Sequence, residues 1–223
     1  MADTKDLVYE EPGVTVDVVI FTISEERLNV LLVKRNLEPF RGRWSLPGGF
    51  LLRGESLEAG VRRIIEEKAG LKASYTEQLY TFGRPDRDPR SRVITVAYFA
   101  LVPWTRLPEP VSPKVAGVEW TPVVYLPELA FDHNVIVHYA VERLRAKTGY
   151  SNIVIGLLPD MFRLSDLQRI YEIILGHDLD KRNFRKKMHA TGLLQETGQK
   201  EIIGAHRPAM LYRFKEKKVV NLD

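Results

Sequence analysis

GFLLRGESLEAGVRRIIEEKAGL, Gly49 to Leu71, is a glycine-bounded loop and helix whose charges fall at regular intervals. On a helix, positions i, i+3 and i+4 share a face, so residues 64, 67 and 68 project together, with Glu55 in the loop before them. A site that activates a diphosphate needs divalent cations to neutralise the charge that repels a nucleophile. Magnesium in turn needs several oxygen ligands in near-octahedral array. Here the face reads Ile64, Glu67 and Lys68, so one carboxylate remains on it. Glu66 lies about 100° round the helix, off this face.

The stretch resembles the Nudix box of diphosphate hydrolases. Gly49, Glu55, Arg63, Ile65, Glu67, Gly70 and Leu71 fall in register, and WSLPGG (Trp44 to Gly49) precedes them. Ile64 and Lys68 stand where the pattern has glutamate. The resemblance implies an α/β/α sandwich over residues 12–148 in which the metal site is partly lost. No catalytic residue is assigned to the degenerate box of Gly49, Glu55, Arg63, Ile64, Glu67 and Lys68. Glu55 and Glu67 are expected to hold magnesium weakly at most, and no cofactor is required. The Lys68 ammonium is expected to meet a diphosphate as a point charge in place of the metal.

Outward from the box, Val14–Ile23 and Leu28–Arg35 are rich in β-branched residues and read as strands joined by SEER. Residues 36–45 read as a polar loop, and Pro47-Gly48-Gly49 as a breaker that lets backbone approach a ligand. A helix is expected over Glu55–Ala69 with Gly70 as C-cap. Further strands are expected at Glu77–Phe82, Arg92–Val102 and Val115–Trp120, with a Pro-rich crossing loop over 103–113. Asp132 is placed to cap a helix over His133–Lys147 that Gly149 closes. The segment TFGRPDRDPRSR (Thr81 to Arg92) resembles a loop of ADP-ribose pyrophosphatases, and arginine forks suit phosphates. The ligand-binding candidates are therefore Arg43, Gly48, Gly49, Glu55, Lys68, Arg84, Asp86, Arg87 and Arg90. Phe131 and His133 flank Asp132, where packing rather than ligand contact is the expected role.

The last third has a different character. Residues 1–149 carry 20 basic and 20 acidic residues, whereas residues 150–223 carry 13 and 9, so the whole net charge of +4 lies there. Ser165 and Gln168 suggest a capping box opening a helix that runs to Gly176. Asp180 is placed to cap a second helix that Gly192 closes. Strands over Leu193–Thr197 and Ala209–Phe214 complete a winged helix-turn-helix. On the second helix Lys181, Arg182, Arg185, Lys186 and His189 occupy an arc of about 140°, with Phe184 and Met188 roughly opposite. Such a helix docks by one face and offers the other to phosphates and guanine edges. Asn183 sits between the faces and is a further DNA-binding candidate, as are His206 and Arg207 at the hairpin tip.

Together the halves resemble the Nudix-related transcriptional regulators of bacterial NAD or sugar metabolism. The tail GHDLDKRNFRKKMHATGLLQETG…HRPAMLYRF carries the most specific part of that likeness. The expectation is an α+β chain, with a ligand-binding Nudix-like domain over 1–149 and a DNA-binding domain over 150–223. It is expected to act as a homodimeric repressor on a palindromic double-stranded operator, sensing ADP-ribose or a related metabolite. The rival readings are an active ADP-ribose pyrophosphatase with a DNA-binding appendage and a structural dimer that binds protein partners. No apolar run reaches the roughly 18 residues of a membrane span. With no cysteine and a polar, acidic start, the chain is expected in the cytoplasm, away from membranes.

Overall fold

A computed structural model describes residues 10–104, 113–201 and 208–222. The chain opens with β1 (Gly13–Ser24) and β2 (Arg27–Arg35), an antiparallel hairpin turned by Glu25 and Glu26, both at positive φ. The two strands stay paired only from Phe21↔Val30 to Ser24↔Arg27. Below that they part. There β4 (Gly48–Phe50) pairs with β1 at Thr15–Asp17, and β3 (Trp44–Ser45) pairs with β2 at Val33–Lys34. Both short strands lie in sequence read as loop and breaker, because two- and three-residue strands carry no periodicity to recognise. Parallel to β1 runs β6 (Val93–Leu101), flanked by the edge strand β5 (Tyr75–Phe82). β7 (Val115–Pro122) covers the outer edge of β2 and completes seven strands.

Strand alternation assigns the two faces of this sheet. Val16, Val18 and Ile20 of β1, Leu31 of β2, and Tyr98 and Ala100 of β6 point one way. They pack against Val61, Ile64 and Ile65 of α1 (Leu57–Ala69). Val19 and Phe21, Leu28, Val30 and Leu32, and Ala97, Phe99 and Leu101 point the other way, against Ile136, Val137, Ala140 and Leu144 of α2 (His133–Tyr150). The result is the expected α/β/α sandwich. α1 starts two residues later than expected, because the Ser56 hydroxyl accepts the Ala59 amide and caps it. Gly70 ends it in the left-handed region at φ 61°, where its amide bonds back to Glu66. α2 runs through Gly149 rather than stopping there and ends at Ser151, whose amide and hydroxyl both bond to the Lys147 carbonyl.

Beyond α2, a 3-10 turn (Ile153–Leu157) leads to β8 (Phe162–Arg163), α3 (Leu164–Leu175) and α4 (Lys181–Ala190). β9 (Leu194–Glu201) and β10 (Ala209–Phe214) follow, and β8 adds a third strand on β10 that two residues gave no means of foreseeing. α3 begins one residue before Ser165. Its capping carboxylate is Asp166, which accepts the Arg163 amide at 3.1 Å. Gln168 instead bonds to Glu172 and to the Leu179 carbonyl, closing the turn into α4.

One apolar cluster runs from the α2 face of the sheet through Ile153, Val154 and Leu157 to Leu167, Ile174, Phe184 and Met188. Arg145 of α2 donates to the Ile174 carbonyl at 3.1 Å, and Arg169 of α3 pairs with Glu26 in the β1–β2 turn. The final residues return to the end of α2. Leu222 donates to the Tyr150 carbonyl, and Asn152 bonds the backbone at Lys218 and Val220.

Candidate functional site

The parting of β1 and β2 opens a cleft of about 440 Å³. Thr15 and Asp17 of β1 and Val33 and Arg35 of β2 form its sides. Gly48, Gly49 and Phe50 of β4 line it too, as do Ile64, Glu67 and Lys68 of α1. Arg87, Asp88, Arg90, Phe131 and His133 complete its lining. The volume lies in the range of small-ligand sites, about 300–1,000 Å³. Gly48 is required here, because a Cβ on it would lie 1.9 Å from Asp17 Oδ1.

A buried ionic network frames the cleft. Arg87 donates Nε and Nη2 to the Asp132 carboxylate at 3.0 and 2.7 Å, and Nη2 also lies 3.4 Å from Asp17. Its side chain is only 3% exposed. Asp132 occupies the N-cap position of α2 but makes no side-chain capping bond, because its carboxylate is engaged by Arg87. His133 Nδ1 accepts the Leu46 amide at 2.9 Å, which leaves the proton on Nε2, 3.7 Å from Asp17 Oδ1. Burial pushes the His133 pKa down, with Asp17 and Asp132 opposing it. This role as a fixed acceptor is the packing alternative for His133.

Along the cleft lining, cations lie over aromatic faces. The Arg35 guanidinium is 4.8 Å from the centroid of Phe131, and Arg90 lies 5.6 and 5.8 Å from Phe50 and Phe131. Phe131 holds φ 57°, an uncommon setting for a bulky residue. Burial first, and then Arg90, lower the Arg35 pKa.

In the box, Glu55 is gripped bidentately by Arg63, with contacts of 2.7 and 2.8 Å, and accepts the Leu52 amide. The Arg63 bonds, then the Leu52 bond, hold the Glu55 pKa at about 2. Arg63 reaches Glu67 at 3.4 Å and the Phe50 carbonyl at 3.0 Å. Ile64 is 1% exposed and belongs to the apolar cluster between α1 and the sheet, while also forming cleft floor. Lys68 makes no hydrogen bond or ion pair within 4 Å among the described residues, since Glu55 is taken by Arg63. Burial, then Lys114, lower its pKa, and Asp17 opposes them. Its ammonium thus stands desolvated on the cleft wall.

Of the ligand candidates, Gly48, Gly49, Lys68, Arg87 and Arg90 come together at the cleft. Glu55 sits behind Arg63. Arg84 and Asp86 pair with each other at 2.8 Å, exposed and off the cleft lining, and Arg43 pairs with Glu128. Asp17 and Arg35 line the cleft without having been singled out. The signal for Asp17 was a lone charge inside the apolar run VTVDVVIFTI; for Arg35 it was only its place at the end of β2.

At the other end of the chain, Asp180 caps α4 by accepting the Asn183 amide at 2.8 Å. Phe184 and Met188 are buried, with Phe184 5.3 Å from Tyr171 of α3. Lys181, Arg182, Asn183, Arg185, Lys186 and His189 are all exposed. None of the four Lys and Arg side chains among them pairs with a carboxylate among the described residues. His189 rests 5.8 Å from Tyr212 of β10. His206 and Arg207 lie outside the described residues.

Comparison with known proteins finds two family models in this chain. The NUDIX domain matches residues 11–140, and the NrtR DNA-binding winged helix domain matches residues 154–214. The ADPR responsive transcriptional repressor NtrR of Acinetobacter baylyi is 40% identical over 210 residues, covering 92% of this chain and 83% of the relative. The crystal structure of Shewanella oneidensis NrtR complexed with a 27mer DNA is 40% identical, with a TM-score of 0.81 over 91% of this chain and 93% of that one. The NUDIX domain of the same NrtR, crystallised with ADP ribose, is 41% identical over 64% of this chain and 93% of that one, with a TM-score of 0.57.

Proposed function

Since this chain belongs to the family of Nudix-domain transcriptional repressors with an NrtR winged helix, we propose that it represses transcription through α4 and is released by a metabolite held in the cleft. The single observation that carries the reading is the exposed basic face of α4, which pairs with no carboxylate among the described residues and is docked by Phe184 and Met188. Unpaired cations on an exposed helix bind a polyanion by displacing its counterions. Residues 150–223 would form the DNA-binding part and 1–149 the sensing part, working in the cytoplasm. A homodimer would place two recognition helices on a palindromic operator.

The ligand we propose is ADP-ribose or a related nucleotide or sugar metabolite. Lys68 and Arg35, both destabilised by burial, gain from an arriving diphosphate. Phe50, Phe131 and Arg90 offer flat faces beside it. A magnesium ion, on which hydrolytic Nudix chemistry depends, does not fit the donor set. Ile64 is core, Lys68 is cationic and Glu55 is bound to Arg63, which leaves Glu67 alone on the face. No group of three or more His, Asp or Glu suited to a metal is found among the described residues. No hydrolytic step is therefore derived.

α2 offers the route from cleft to DNA. Its first turn carries Asp132 and His133 at the cleft, and its last turns hold α3 through Arg145 and Ser151. Titration calorimetry with ADP-ribose in chelator, followed by a mobility-shift assay on a palindromic duplex, tests the reading. Metal-independent binding that releases the duplex is expected. Binding that needs magnesium, or turnover at the usual enzyme rates of about 1–1000 per second, would favour the hydrolase instead.

A further inference from the structure

A second cavity, of about 200 Å³, lies in the joint between the two parts of the chain. Ser74 and Tyr75 of β5 come to it from the NUDIX match, and Phe162 and Phe214 from the winged-helix match. The connecting turn reaches the sheet here because residue 156 is glycine. A Cβ on Gly156 would lie 2.8 Å from Leu101 Cβ and 3.2 Å from Tyr75 Cβ. The tail beyond β10 forms the remaining wall. Asn152 fastens it by donating to the Lys218 carbonyl at 3.0 Å and accepting the Val220 amide at 2.6 Å. Strand pairing on one side and these bonds on the other fix the walls before any ligand arrives, as in most small-molecule sites.

Size and lining together select the occupant. An apolar cavity of about 150 Å³ is enough for benzene, so this one has room for a single six-membered ring with one substituent. Phe162 and Phe214, 5.4 Å apart and tilted by 42°, supply ring faces. Tyr75 supplies a third, its hydroxyl committed to Glu77 and, at 3.0 Å, to Lys147. At the solvent edge Lys217 Nζ meets Asp160 Oδ1 at 2.6 Å, with side chains 76% and 78% exposed. So exposed a pair costs little to open. A carboxamide serves both partners at once, its oxygen accepting from Lys217 and its N–H donating to Asp160. A carboxylate would be repelled by Asp160, and an ammonium by Lys217. We propose that this joint is a second small-ligand site, separate from the cleft, for a monocyclic aromatic amide. Because both parts of the chain build it, occupancy and their relative placement are linked in both directions.

Benzamide is the probe. Titration calorimetry on the full chain should show one site with a Kd of about 1 mM, in keeping with so small a ligand, and ADP-ribose should not displace it. Benzoate and benzylamine should each bind about tenfold more weakly, the loss of one charge-assisted bond. Ser74→Phe, at an exposed position of β5, offers the cavity a ring of its own. It should abolish benzamide binding while the ADP-ribose melting shift persists. Lys217→Met removes the donor from an exposed side chain and should weaken benzamide by about tenfold; it carries the test where Ser74→Phe fails to fold. The two ADP-ribose controls rest on the reading of the cleft, whereas the losses in Ser74→Phe and Lys217→Met do not. No heat with benzamide at about ten times the expected Kd, or wild-type affinity in either variant, overturns the site. Displacement by ADP-ribose returns the ring to the cleft and overturns it too. Equal affinity for benzoate overturns the amide.

Discussion

The cleft and the recognition helix are both rich in arginine, and they use it in opposite ways. Arg63, Arg87 and Arg90 are each bound to a carboxylate, on Glu55, Asp132 and Asp88. They shape a cavity and leave little charge uncommitted. The Lys and Arg side chains of α4 have no such partner among the described residues. Paired, arginine is architecture; unpaired and exposed, it is an electrostatic surface. Lys68 and Arg35 depart from this: both are half-buried cations of the cleft with no carboxylate within 4 Å among the described residues, which is why we place the ligand's charge beside them.

The strongest way to break this contrast is Arg87→Ala. Removing one partner from a buried pair should cost about 3–5 kcal/mol in denaturant unfolding; a cost like that of an exposed arginine would show that the network is not structural. Next, Arg185→Ala with Lys186→Ala should weaken operator binding by about 100-fold and flatten the salt dependence by about two counterions. The ligand-induced melting shift should persist. Unchanged DNA affinity would remove α4 from the interface. Lys68→Met should lower ADP-ribose affinity by about tenfold in calorimetry, consistent with the loss of a single charge-assisted contact, and leave DNA binding intact. An unaltered affinity would make Lys68 a bystander.

The smallest effect expected is a pH dependence. His133 has its folded pKa below the unfolded value of about 6.5, so the unfolded chain takes up a proton first as pH falls. Stability contributed by neutral His133 is therefore complete above that value and is lost as pH drops below it. His133→Asn should remove that part of the slope in melting curves taken between neutral and mildly acidic pH. An identical slope in both proteins would mean that the Leu46 bond does not depend on the imidazole staying neutral.

Much of this was legible in the chain. The α1 face with Ile64 and Lys68, the split of α4 into Phe184/Met188 and a basic arc, and the Asp180 cap all follow from helical periodicity, which local sequence records. The destinations of the arginines in Thr81–Arg92 were not legible. Arg84 pairs with Asp86 in solvent, Arg87 reaches a half-buried carboxylate 45 residues away and Arg90 bonds Asp88 beside the Phe131 ring, though all stand in one loop. Nor did Ser165 and Gln168 give the start of α3 correctly, because Asp166 takes the cap while Gln168 is drawn to the Leu179 carbonyl in the turn to α4.

By itself the sequence determined which helices form, which of their faces are apolar, where the net positive charge lies, and that the face bearing residues 64, 67 and 68 lacks two carboxylates. Only the tertiary structure decided that β1 and β2 part to open a cleft, that Glu55 belongs to Arg63 and Asp132 to Arg87, and that a cavity is left where β5 meets the winged helix. The reason is physical. Periodicity and capping are set by neighbours within a turn, whereas the partner of a charge, and the space left between two packed parts, are set by strands and loops that meet only after the chain has closed on itself.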